Sequence, residues 1–109
     1  MNAAPEPLTL LLRMEEARRQ TQHQLDIIDR QITRCMTALI PRLLPKRLAY
    51  RAGKTPDPNA FLERYRAHRA AITAERQPEI DALARRLARQ DRALAVLRER
   101  TSHSGDGAT

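Results

Sequence analysis

The chain has 109 residues, 20 Lys and Arg against 13 Asp and Glu, a formal charge of +7 and only three aromatic side chains. That length holds it to one domain, and the shortage of glycine, aromatic and β-branched residues argues against a sandwich or barrel. A single cysteine excludes an intrachain disulfide framework and suits a reducing compartment, no apolar run reaches the ~18 residues of a membrane span, and the first residues lack the charged start and long apolar stretch of a secretory leader, so a cytoplasmic location is expected.

Residues 1–7 read as a flexible start, with Pro7 placed where a first helical turn tolerates its missing N–H. Residues 8–40 contain neither Gly nor Pro, and Leu11, Met14, Leu25, Ile28, Ile32, Cys35 and Leu39 recur at spacings of three and four. This predicts one long amphipathic helix with a narrow apolar stripe, close to a coiled-coil seam. Arg18 and Thr21 occupy the same stripe and interrupt it. Pro41 and Pro45 then each remove an amide donor and clash with the preceding turn, which predicts a helix end at Ile40.

Residues 41–57 form the predicted apex. Five basic residues (Arg42, Lys46, Arg47, Arg51 and Lys54) and no acidic one fall between Pro41 and Pro56. Residues 46–52 suit a short helix, with Gly53 as its C′ residue.

Asp57-Pro58 is a helix start, the aspartate as N-cap and the proline at the first helical position. Phe61, Tyr65, His68 and Ile72 follow at helical spacing, which predicts a helix over 58–76. Pro78 should break or kink the pattern. A helix over 78–101 then carries Ile80, Leu83, Leu87, Leu94 and Leu97, with Gln90 in the stripe. Residues 102–109 lack apolar periodicity and read as a disordered tail. On the outer face of this last segment, Asp81 and Asp91 are placed to offset Arg85, Arg89 and Arg92.

The expected fold is all-α: a long antiparallel helical hairpin, coiled-coil-like, with a short apex segment and a Pro-kinked second arm. Leu12, Ile27, Ile40, Ala84, Ala88 and Ala95 lie beside the stripe. They suit a second copy, so a homodimer forming a four-helix bundle is expected.

No catalytic constellation can be assembled. His23, His68 and His103 have no His, Cys or paired carboxylates at ligand spacing, so neither a metal nor a cofactor is expected. Cys35 has no base placed beside it and reads as a small core residue. Ala52-Gly53-Lys54-Thr55 ends like a phosphate-binding loop, but Leu48 stands where its first glycine belongs, and a proline rather than a helix follows.

Leu25-Asp26-Ile27-Ile28-Asp29-Arg30-Gln31-Ile32, followed by Gly53 and Pro56-Asp57-Pro58, loosely resembles the all-helical chorismate mutases. The resemblance implies a helical fold. That family's dicarboxylate-binding arginines on the first helix fall here near Gln22 and Leu39, so no catalytic residue carries over.

The charge therefore carries the functional reading. The candidate interface is Arg42, Lys46, Arg47, Tyr50, Arg51 and Lys54, with Tyr50 able to stack on a base. Its expected partner is nucleic acid, DNA or RNA, met through phosphates with little sequence preference. The second expectation is an acidic protein surface.

Overall fold

The computed structural model of the chain describes residues 6–44 and 57–107. They form two helices, α1 (Pro7–Leu43) and α2 (Pro58–Gly107), packed as an all-α hairpin, with no strand among the described residues.

Both helices start where local chemistry places them. Pro7 is the first residue of α1, and the Glu6 carbonyl accepts the Leu10 N–H at 2.9 Å. At α2 the Asp57 carboxylate accepts the Asn59 N–H at 2.9 Å, and the Asp57 carbonyl accepts the Phe61 N–H at 3.4 Å. The aspartate thus caps the helix with both its side chain and its carbonyl. Asp57→Ala is expected to cost about 1 kcal/mol, read as a fall in the thermal midpoint without loss of the fold; an unchanged midpoint would show that the cap contributes nothing.

Three helix boundaries differ from the sequence reading. α1 does not stop at Ile40 but runs through Pro41 to Leu43. The proline deletes one hydrogen bond, yet the ladder resumes beyond it, with Leu44 N–H reaching the Ile40 carbonyl at 3.2 Å. Leu43 is buried, and so are Ile32 and Met36 before it, so packing on both sides of Pro41 holds the last turn in helical form. α2 continues through Pro78 as one helix, where either a break between helices over 58–76 and 78–101 or a kink was expected. A helix of 50 residues loses one bond there and keeps its neighbours. The expected disordered tail is helical to Gly107.

The chain divides into two compact units. The first joins α1 up to Asp26 with α2 from Glu79 onward. Its core holds the buried Leu83 and Leu94, with Leu11, Met14, Leu25, Leu87 and Leu97 half-buried. Thr21 is buried at 3% exposure, and its hydroxyl donates to the Ala17 carbonyl at 3.2 Å, so this polar residue enters the stripe without an orphaned donor. The second unit spans Ile27–Pro78. Its core holds Ile28, Ile32, Met36 and Leu43 from α1, and half-buried Phe61, Tyr65 and Ile72 from α2. The Phe61 and Tyr65 rings lie 6.3 Å apart, one turn from each other.

Here the stripe departs from its expected course. Cys35, expected in the core, is exposed, and Met36 is buried at 1% exposure. His68, expected in one row with Phe61, Tyr65 and Ile72, is exposed.

Candidate functional site

Of the predicted interface, Arg42 is in the last turn of α1 and exposed. Lys46, Arg47, Tyr50, Arg51 and Lys54 lie outside the described residues. Cationic Arg42 sits where the helix dipole favours positive charge. The same helix end is closed from α2: Arg64 Nη2 donates to the Leu43 carbonyl at 3.1 Å, satisfying one of the acceptors that the last turn leaves open.

Along the arms many arginines are paired. In the first unit Arg18 bonds Asp91, and Arg98 bonds Glu15 at 3.1 Å. Arg19 reaches Glu16 with Nε at 2.9 Å and Nη2 at 2.6 Å, a forked contact that holds the Glu16 carboxyl below the usual carboxylate range. In the second unit Arg69 lies 3.9 Å from Asp29, and Arg76 donates to Gln31 at 2.8 Å. Such exposed pairs stabilise by at most about 1 kcal/mol each. Arg19–Glu16 lies within α1, and the other contacts join the two helices.

One of these pairs changes the expected charge balance. Asp91 turns to Arg18 rather than to the arginines of its own helix. Arg89 and Arg92 are left with no ion pair among the described residues, and so are Arg86 and Arg100.

These four arginines line the first unit on the side of α2 away from the Asp91–Arg18 pair. Two adjoining depressions there share Met14 and Ala93 and so form one groove. Its floor is aliphatic: Leu10, Met14 and Ala17 from α1, Ala93, Val96 and Leu97 from α2. Arg86 and Arg89 flank one end, Arg92 and Arg100 the other. The spacing explains this arrangement. Arg86, Arg89, Ala93, Val96 and Arg100 follow one another by three and four, a helical row beside the core row of Leu83, Leu87, Gln90, Leu94 and Leu97. The spacing of this second row is legible in the sequence, but of its arginines only Arg89 was singled out there, with Arg85 and Arg92, as part of an outward, self-neutralised face.

Gln90 borders the groove, and its Oε1 is buried with no hydrogen-bond partner among the described residues. A buried acceptor without a donor costs about 1–3 kcal/mol. Gln90→Leu removes it and completes the leucine row. The expected gain is about 1 kcal/mol, a rise of roughly 4–8 °C in the thermal midpoint. A lower midpoint would mean that Gln90 is satisfied in solution.

No three His, Cys, Asp or Glu gather at metal-binding distance among the described residues, and no helix there is long and apolar enough to cross a membrane. The chain matches no protein-family model, no curated protein and no solved structure, so the likeness to the chorismate mutases gains no support from them.

Proposed function

We propose that this chain is a non-enzymatic helical binding protein, cytoplasmic and homodimeric, whose basic segment meets nucleic-acid phosphates with little sequence preference. One observation carries the reading: five of the seven net positive charges fall between Pro41 and Pro56, where the sequence holds no acidic residue. In the arms, by contrast, Asp29, Asp91, Glu15 and Glu16 each engage an arginine. Arg42, exposed at the end of α1, is the one member of the set whose surroundings are described. Exposed Leu8, Leu12, Ile27 and Leu62 offer apolar surface to a second copy.

The test is a salt titration of binding to a mixed-sequence duplex and to a single-stranded RNA. Each phosphate contact releases counterions, so three to five contacts predict a slope of log affinity against log salt of roughly −3 to −4.5 on the duplex. A parent protein with no affinity even at low salt rejects the nucleic-acid reading and leaves the acidic protein partner in its place.

A further inference from the structure

We infer that the arginine-rimmed groove of the first unit is the docking site for an acidic amphipathic helix of a protein partner, independently of what the basic segment binds. Two observations converge on it. The floor between Met14 and Val96 is aliphatic, and Val96, in the row beside the core row, is 48% exposed. The rim carries Arg86, Arg89, Arg92 and Arg100, none with an ion pair among the described residues.

Charge selects the occupant. A second copy of the chain would bring the same four arginines against these, and like charges brought together repel. Repulsion of this kind disfavours a symmetric contact between two copies through the groove. A nucleic-acid strand matches the rim but not the floor, which has no aromatic ring for a base to stack on. A helix with apolar residues at spacings of three and four seats those residues on the floor and directs flanking carboxylates to the rim. Ala17 and Ala93, the smallest floor residues, let its backbone come close. From Arg86 to Arg100 the groove follows about four turns of α2, roughly 21 Å, so a partner helix of about 15–18 residues fills it.

The probe is a labelled synthetic peptide of about five turns, with Leu on one face and Glu on the other. Its controls are a scrambled peptide of the same composition and one with Lys in place of Glu. The parent protein should bind the amphipathic acidic peptide at least tenfold more tightly than either control. Changing Arg86, Arg89, Arg92 and Arg100 together to Gln should weaken that binding tenfold or more, with helicity unchanged. Val96→Asp should do the same. Equal binding of the scrambled peptide would reduce the groove to a charge attraction and overturn the proposal. So would an unchanged affinity in both the arginine and Val96 variants. A change of oligomeric state in the arginine variant would assign the groove to a second copy, and loss of nucleic-acid binding there, with the peptide still bound, would assign it to phosphates. A null result with nucleic acid leaves the peptide result untouched, so the two functional readings fail separately.

Discussion

Met36→Asp should unfold the protein, while Cys35→Asp, one residue away, should leave it folded. Met36 is 1% exposed, and Cys35 is exposed. Removing a buried methionine side chain alone costs about 2–5 kcal/mol. The aspartate adds a carboxylate that must either lose its water or take up a proton. Together these approach the whole stability of a domain this size, about 5–15 kcal/mol. Ile32, one turn earlier and 5% exposed, should behave like Met36, and exposed Arg30 like Cys35. Circular dichroism and thermal melts of the four variants decide it. Loss of cooperative melting is expected for Met36→Asp and Ile32→Asp, and near-parental midpoints for the other two. If Cys35→Asp unfolds the chain and Met36→Asp does not, the face of α1 that meets α2 is misassigned by one residue.

That one-residue choice shows what periodicity resolves and what it does not. The hairpin itself was legible: two long patterns of apolar residues at spacings of three and four, divided by a segment rich in proline and basic residues, with Asp57-Pro58 as a start signal. Between Ile32 and Leu39 the pattern admits either Cys35 or Met36. The helix takes three successive steps of four, Ile28 to Ile32 to Met36 and on to half-buried Ile40, and the long flexible methionine fills the seam that a cysteine would leave open. Pro41 and Pro78 were read from their local cost alone. Leu43, buried past the first, and a helix that continues for 29 residues past the second show that neighbouring turns outweigh one lost bond.

The candidate sites divide in the same way. A run of basic residues without acids is visible in any reading of residues 41–56, because it depends only on composition. The groove depends on pairing across the hairpin. Asp91 is close in sequence to Arg89 and Arg92, and a count of local charge sets it against them, although side chains one or two residues apart do not face each other on a helix. The carboxylate instead meets Arg18 of α1, across the hairpin. The Gln90 row was visible, but which edge of it is covered was not, since both edges carry arginine and alanine.

Changing Arg42, Lys46, Arg47 and Arg51 together to Gln should nearly abolish nucleic-acid binding and flatten its salt dependence, with helicity unchanged. The comparison that gives this meaning is the groove variant, with Arg86, Arg89, Arg92 and Arg100 changed to Gln. Each variant removes four positive charges from a chain of +7, so both carry +3. A difference between them therefore reports where the charge lies and not how much there is. In the groove the arginines border an aliphatic floor that offers a phosphate backbone nothing further. Between Pro41 and Pro56 the charges lie within sixteen residues with no carboxylate among them. Each phosphate contact removed should cut the slope of log affinity against log salt by about 0.9 on duplex DNA, so losing three or four contacts should bring it close to zero. The groove variant should keep most of the parental slope. At low salt, where the electrostatic contribution is largest, the apex variant should bind at least a hundredfold more weakly than the parent, and the groove variant within about tenfold of it. Equal losses in the two variants would mean that net charge alone attracts the nucleic acid, and a larger loss in the groove variant would move the phosphate site from the apex to the last helix.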